Sequence, residues 1–321
     1  MKQDFIKGIS YGWDGRANVY RTERAKESMK LLSQTGANWV AISFNTYQER
    51  FNSTHIYYEY GHTVTDLDII TAIHNAHNNN LKVCLKPVVD PKDKVWRGFI
   101  NFPDENNAKV YWDEWFESYR AFICHYAQLA EQFKCEMFCV GCEYKFAQRK
   151  DSYWSEIIDY VKEIYHGKII YNANFDRVTG CNWFNKLDYI GVSAYYSLTQ
   201  KVGASEEELK EGWKQVLDDM RKIYREYNKP VVFMETGCMN AKGACIEPWN
   251  YDVSDRENDE EEQARFIKTS FETFADEEGF LGYFWWEWLA NLYDPVKAKS
   301  DIGYCFYSKK AEEIVREWYR K

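Results

Sequence analysis

Short apolar segments alternate with longer amphipathic segments along almost the whole chain. The short segments are rich in β-branched and aromatic residues, as is typical of strands that are buried on both faces. They predict eight strands, over residues 6–11, 39–44, 82–88, 137–141, 169–172, 189–194, 231–235 and 281–286. The longer segments predict seven helices, over residues 23–34, 67–78, 108–132, 154–165, 206–226, 260–276 and 310–318. The segment over 178–187, between the fifth and sixth strands, is too short to predict a helix.

The regular alternation of strands and helices determines the predicted fold class. Strands that alternate with helices, at about 40 residues per unit, predict an α/β fold with parallel βα units. Eight such units favour a single closed (β/α)8 TIM barrel, and a doubly wound open sheet is the alternative. No Pro-, Gly- or Ser-rich linker interrupts the pattern, so residues 1–321 are expected to form one catalytic domain.

Composition and charge limit the partners. A net charge of -9 repels phosphate backbones, so no nucleic-acid partner is expected. No apolar run is long enough to span a membrane, and the protein is expected to have no membrane partner. The N-terminus carries Lys2, Asp4 and Lys7 and lacks the apolar stretch of a leader. Together with nine scattered cysteines, an odd number, this predicts free thiols in a reducing cytoplasm.

Metal and nucleotide sites have no support in the sequence. None of the six histidines follows a predicted strand, and His74 and His77 lie on a predicted helix face. Cys139 and Cys142 form a CxxC pair without the second pair that a zinc ribbon needs, so they are interpreted as two thiols at a strand end. No glycine-rich phosphate-binding motif opens a helix. The protein is therefore expected to need no metal or other cofactor.

Two glutamates stand at strand ends, where a barrel of this kind places its chemistry. Glu143 follows the fourth predicted strand, and Glu235 ends the seventh. Most other carboxylates lie on helix faces or in charge runs such as 255–262, which are expected to be solvated. A glutamate at the mouth of a barrel is costly to bury, and hydrolysis of a glycosidic bond needs one carboxylic acid and one carboxylate. The aromatic share of 18% adds rings that can face a ligand.

Several segments together resemble a known enzyme family. They are TGANWVAISF (35–44), LKPVVD (85–90), VWRGFI (95–100), FCVGCEY (138–144), YNANFD (171–176), LDYIGVSAYYSL (187–198), PVVFMETG (230–237) and FWWEW (284–288). In this order they resemble clan A of the glycoside hydrolases, whose barrels carry an acid/base glutamate after strand four and a nucleophile after strand seven. More closely, the chain resembles glycoside hydrolase family 113, a family of endo-β-1,4-mannanases.

The resemblance implies roles for the two glutamates. Glu143 is expected to be the acid/base and Glu235 the nucleophile, with retention of configuration if their carboxyl groups lie roughly 5 to 5.5 Å apart. Tyr195 matches the clan's tyrosine that orients the nucleophile, and the adjacent Tyr196 is the alternative. Cys142 departs from the clan, because many members have Asn before the acid/base and use its amide to hold the sugar 2-hydroxyl. That contact must then come from another residue.

Further strand-end residues are candidates for sugar contacts. Trp286 stands where the clan places an indole beneath the sugar at the cleavage point, whereas Trp285 and Trp288 are expected in the core. Glu287 is a third strand-end carboxylate, for a ligand hydrogen bond or an ion pair. The other substrate-binding candidates, from strand ends and the long loop after the third strand, are Trp13, Lys86, Asp90, Trp96, Arg97, Asn172, Asn174 and Tyr196.

The resemblance implies a retaining glycoside hydrolase that cleaves β-1,4-mannosidic linkages in mannan or manno-oligosaccharides. From the thiols and the N-terminus it is expected to be cytoplasmic, and it is expected to act as a monomer. Because no leader is seen, imported oligosaccharides are its expected substrates. An exo-acting β-glycosidase of the same clan, a β-mannosidase or a β-glucosidase, is the alternative among enzymes. A non-catalytic carbohydrate-binding barrel is the alternative from another class of protein. The sequence leaves open the preference for mannose over glucose, the number of subsites and the capacity for transglycosylation.

Overall fold

The computed structural model describes residues 4–252 and 255–321, and its centre is a barrel of eight parallel strands. The strands are β1 Ile6–Tyr11, β2 Trp39–Gln48, β3 Lys82–Pro91, β4 Met137–Cys142, β5 Lys168–Asn174, β6 Tyr189–Ser193, β7 Val231–Thr236 and β8 Phe280–Trp288. Each strand pairs with the next one along the chain, and β1 pairs with both β2 and β8. This closure confirms the predicted (β/α)8 barrel, and the open sheet is wrong.

Helices follow the strands on the outside of the barrel. They are α1 Glu23–Ser33, α2 Asp66–Asn78, α3 Lys109–Gln132, α4 Asp151–Ile164, α5 Glu206–Tyr227, α6 Glu260–Phe274 and α7 Lys310–Tyr319. Between β5 and β6 the chain forms only a 3-10 helix, Asn182–Lys186, in the segment that was too short to predict a helix. No helix within residues 4–252 and 255–321 is both long and apolar enough to cross a membrane.

Several strands are longer than the sequence pattern predicts, and β2 and β3 extend furthest past their predicted ends. β2 continues to Gln48 and β3 to Pro91, and the two stay paired in register to their last residues. A two-residue strand, Ile56–Tyr57, then pairs antiparallel with the end of β2. The predicted ends were wrong because polar residues such as Asn45 interrupt the apolar pattern where these strands rise above the barrel core.

The core has two apolar layers. The smaller one fills the barrel interior below the strand ends, with Ile6, Trp39, Ala41, Cys84, Met137, Cys139, Ile170, Val232, Met234 and Phe284. The larger one lies between strands and helices, and it buries Trp112, Trp115, Phe116 and Tyr119 of α3, as expected for rings on a helical pattern. Trp285 and Trp288 are also buried there. The polar groups of the site therefore lie directly above packed apolar side chains in the barrel interior.

Candidate active site

Glu235 lies on β7 at the mouth of the barrel, with 6% of its surface exposed. Its Oε1 accepts hydrogen bonds from Lys86 Nζ and, at 2.9 Å, from Asn172 Nδ2. The Cys142 thiol lies 3.5 Å from the same oxygen, and Tyr195 donates its hydroxyl to Oε2 at 3.2 Å. Four side chains from β3, β4, β5 and the end of β6 thus fix the orientation of this carboxylate.

The charge environment keeps Glu235 ionised. Burial alone would raise the pKa of the Glu235 carboxyl, but the charge and hydrogen bond of Lys86, together with the charge of Arg97, lower it. Lys86 is itself buried, and its ammonium forms an ion pair with the same carboxylate. A buried carboxylate with a lowered pKa can act as a nucleophile toward the anomeric carbon of a bound sugar.

Glu143 follows the last residue of β4 and is also buried, with 7% of its surface exposed. Its φ of 58° is in the left-handed region, while its N–H donates to the Asn172 carbonyl at 2.8 Å. Its Oε2 accepts from Trp96 Nε1 at 3.3 Å and from Arg97 Nη1 at 3.0 Å. Burial and the negative charge of Glu235 raise the pKa of Glu143, and Arg97 opposes that rise. A carboxyl with a raised pKa can hold the proton that a leaving oxygen needs.

Arg97 joins the long loop after β3 to the acidic centre. Its Nε and Nη2 donate to the two oxygens of Asp90 at 2.7 and 3.0 Å, which is a two-pronged contact that fixes the guanidinium plane. The guanidinium carbon lies 5.1 Å from the centre of the Trp13 ring. Asp90, Trp96 and Arg97 therefore all lie within the network around Glu143.

Trp286 and Trp13 form an aromatic wall beside the nucleophile. Their ring centres are 5.3 Å apart at an angle of 66°, and both rings are partly exposed. Lys86 Nζ lies 5.7 Å from the centre of the Trp286 ring, which places that indole next to the ion pair of Glu235. An exposed indole face at this position can stack on the C–H face of a sugar.

Glu287 has no ion-pair partner among the residues that the structure describes, and its Oε2 is buried without a hydrogen bond. Burial, together with the negative charges of Asp14 and Glu235, raises the pKa of Glu287 to about 8. The carboxyl is therefore mostly protonated at pH 7 and can donate a hydrogen bond to a sugar hydroxyl. Between the two interpretations from the sequence, this favours the ligand contact over the ion pair.

Two candidates contact residues other than the two glutamates. Asn174 Nδ2 donates to Asp176 at 2.6 Å, and the ring of Tyr196 packs on Phe175 with centres 4.9 Å apart. Tyr195 contacts Glu235, and Tyr196 donates instead to the Phe175 carbonyl at 3.5 Å, so the alternative partner for the nucleophile is not supported. The sequence reasoning missed the contact of Cys142 with Glu235, and it missed Phe175 altogether. The position of Phe175, directly after β5, was the available signal for the latter.

No group of three or more His, Cys, Asp or Glu side chains suited to holding a metal ion occurs in the described ranges 4–252 and 255–321. All nine cysteines are free thiols. The groups that line this site are carboxyl groups, the cationic side chains of lysine and arginine, and aromatic rings.

Lys86 gives the first testable prediction. Without its ammonium, the pKa of Glu235 is expected to rise, because Lys86 contributes both charge and a hydrogen bond to the ionised form. Lys86→Met should therefore lower kcat/KM at least about tenfold at neutral pH and move the acid limb of its pH profile to higher pH. The measurement is kcat/KM against pH on one soluble substrate.

A second lysine provides the control for that measurement. Lys168 forms an ion pair with Asp188 at 2.9 Å at the opposite end of the barrel. Lys168→Met should keep the wild-type acid limb. An acid limb that stays in place in Lys86→Met would show that Lys86 does not set the ionisation of the nucleophile.

A (β/α)8 barrel with one glutamate of raised pKa after β4 and one of lowered pKa on β7 has the architecture and site of a glycoside hydrolase. The model of Glycoside Hydrolase Family 113 matches residues 9–309. The chain belongs to this family and is a glycoside hydrolase, which confirms the resemblance seen in the sequence.

Solved structures agree with this assignment. A structure described as a complex of a GH113 β-1,4-mannanase is 33% identical, with a TM-score of 0.91 over 99% of each chain. A GH113 β-mannanase from Alicyclobacillus acidocaldarius, in complex with ManMIm, is 35% identical, with a TM-score of 0.90 over 98% of this chain and 97% of that one. A β-glucuronidase from Ruminococcus gnavus, 13% identical with a TM-score of 0.62 over 98% of this chain and 49% of its own, shares the fold alone. No match was found among curated proteins.

Proposed function

We propose that the protein is a retaining β-1,4-mannanase that acts by double displacement, with Glu235 as nucleophile and Glu143 as acid/base. The observation that carries the proposal is the difference between the two carboxyl environments. Three donors and a thiol surround Glu235 and keep it charged, whereas Glu143 is buried beside that charge and tends to keep its proton. The substrate class is supported by the two solved GH113 mannanases, which match nearly the whole chain.

The proposed reaction has two steps. Glu143 donates its proton to the glycosidic oxygen while Glu235 attacks the anomeric carbon, so the leaving sugar departs and a glycosyl–Glu235 ester forms. The ionised Glu143 then takes a proton from water, and the water oxygen displaces Glu235 from the anomeric carbon. Two inversions give net retention. Tyr195 and Asn172 hold Glu235 in place through both steps.

Asn172 has a second part in this proposal. Its Nδ2 lies 3.3 Å from the Cys142 sulfur and 2.9 Å from Glu235 Oε1. Cys142 occupies the position where the clan commonly has Asn, so Asn172 provides an amide next to that position. We infer that the amide of Asn172, on β5, holds the sugar 2-hydroxyl, which is the contact that Cys142 cannot make. Trp286, Trp13 and Glu287, which lie on β8 and after β1, are proposed to bind the sugar from the side of the site opposite β5.

A product profile tests the proposed function. Mannan, manno-oligosaccharides and cello-oligosaccharides are incubated separately, and the first products are identified by length and by anomeric configuration. We expect manno-oligosaccharides of several lengths, released first as β-anomers, and at least about tenfold lower kcat/KM on the cello-series. Release of single mannose units would show an exo-acting enzyme. First products in the α-configuration would contradict retention, and lack of turnover on every substrate would favour the non-catalytic barrel.

The same assay addresses the expected substrate size. An enzyme that acts on imported oligosaccharides should have a clearly higher kcat/KM on short manno-oligosaccharides than on polymeric mannan. Comparable values on the two would contradict that expectation without affecting the assignment of the catalytic glutamates.

A further inference from the structure

Three aromatic rings that the mechanism does not use come together on the loops after β5, β6 and β7. Phe175 directly follows β5, and its ring centre lies 4.9 Å from that of Tyr196 and 6.0 Å from that of Trp249. Trp249 belongs to the loop between β7 and α6 and has 44% of its surface exposed. We call Phe175, Tyr196 and Trp249 the Trp249 platform.

The loop that carries Trp249 is anchored in the protein. Glu262 is 2% exposed, and its carboxylate accepts the N–H groups of Gly243 at 2.8 Å and Cys245 at 2.9 Å. The expectation that the whole charge run 255–262 is solvated is therefore wrong at Glu262, which faces these loop N–H groups. The carbonyl of Pro248 accepts the Tyr304 hydroxyl at 2.5 Å. Trp249 is thus exposed directly after an anchored part of the loop.

The same loop is connected to the nucleophile. The ring of Tyr304 packs edge-on against that of Tyr195 with centres 6.2 Å apart, and Tyr195 donates to Glu235. The platform therefore lies on the face of the barrel that carries the two glutamates. Polar groups flank it, since Asn174 and Asp176 adjoin Phe175 in the chain and hydrogen-bond to each other.

The order of the strands around the barrel determines where a bound glycan must run. Glu143 on β4 and Glu235 on β7 are separated by β5 and β6 on one side and by β8, β1, β2 and β3 on the other. A sugar chain that passes between the glutamates must extend out of the site in two directions, one end over each of these sides. Trp286 and Trp13 occupy the longer side, and the Trp249 platform occupies the shorter one.

We propose that Trp249 and Phe175 form a binding site for the leaving-group sugars, which stack their apolar C–H faces on the exposed indole. This rests on the proposed function, because Trp286 is there assigned to the sugar whose anomeric carbon is attacked. The leaving group must then extend away from Trp286, across the β5–β6 side. Stacking on a fixed ring binds a pyranose with little loss of side-chain conformational entropy.

The test compares kcat/KM of the Trp249→Ala variant and of the wild type on two substrates. A manno-oligosaccharide of five units places sugars on both sides of the cleaved bond, whereas an aryl β-mannobioside with a nitrophenyl leaving group places none on the leaving-group side. We expect kcat/KM on the oligosaccharide to fall about tenfold or more, mainly through KM, and the ratio of the two kcat/KM values to shift by the same factor. Trp249→Phe, which keeps a ring, should restore most of that ratio.

Tyr251 supplies a matched control variant. It is an aromatic residue two positions further along the same loop, is 80% exposed, and lies outside the platform. Tyr251→Ala should keep the wild-type ratio. An equal fall on both substrates in Trp249→Ala, or no change on either, would overturn the proposed site. Failure of the wild-type enzyme on both substrates would instead contradict the proposed function, so the two outcomes are distinguishable.

Discussion

Glu235→Gly is expected to lower kcat by at least about 10⁴-fold, because removal of the nucleophile leaves only binding and electrostatic contributions to the rate. Added azide should then restore turnover of an activated aryl mannoside and give a mannosyl azide of inverted configuration. The structure gives the reason. Lys86, Asn172 and Tyr195 all point donors at the carboxylate, and they remain to bind a small anion in the space that it leaves.

Two other carboxyl variants make the azide experiment specific. Glu143→Ala should give, with azide and the same activated substrate, a product of retained configuration, because Glu235 still forms the ester that azide then attacks. Glu287→Gly removes a carboxyl from the neighbouring strand, and it should give no mannosyl azide of inverted configuration. An inverted azide product from Glu143→Ala, and none from Glu235→Gly, would show that the two roles are exchanged.

The fold was largely predictable from the sequence because it depends on local patterns. Apolar runs rich in β-branched residues and amphipathic helices repeat along the chain, and each unit needs only its neighbours to be recognised. The pattern failed where strands leave the core. β2 and β3 continue past their apolar runs because each hydrogen-bonds to the other, and such pairing adds stability that residue type alone does not reveal.

The two glutamates were predictable for the same reason, since a strand end is a local feature. Their environments were not. Lys86 and Glu235 are far apart in the chain, and only closure of the barrel brings the ammonium to the carboxylate. The contact of Cys142 with Glu235 also depends on closure, so the sequence showed the thiol only as a departure from the clan.

Residues on loops were the least predictable part of the site. Glu262 looks like one more acidic residue at the start of a charged helix, but its carboxylate binds two loop N–H groups. Trp249 lies in a loop with no periodic pattern, and its meeting with Phe175 depends on how that loop folds back over β5. Contacts of this kind depend on loop conformation rather than on strand register, and loop conformation has no short-range signal in this segment.

Glu143 is expected to determine the basic limb of the pH profile of kcat/KM. The group must be protonated to donate to the leaving oxygen, and burial beside Glu235 raises its pKa, so activity should persist to higher pH than for an ordinary glutamate. Activity should then fall as pH rises through that pKa. At low pH, activity should fall as Glu235, whose pKa is lowered, takes up a proton. The wild-type profile is therefore expected to be a bell.

Glu143→Ala should remove the basic limb, and it should lower kcat/KM on manno-oligosaccharides by about 10² to 10⁴-fold. The loss should be much smaller on a dinitrophenyl mannoside, whose leaving group needs no proton. Glu287 is a second carboxyl with a raised pKa, since burial and nearby negative charges raise the pKa of Glu287 to about 8. Glu287→Gln separates the two groups, because the basic limb should persist in that variant. If the limb instead persists in Glu143→Ala and disappears in Glu287→Gln, Glu143 is not the proton donor.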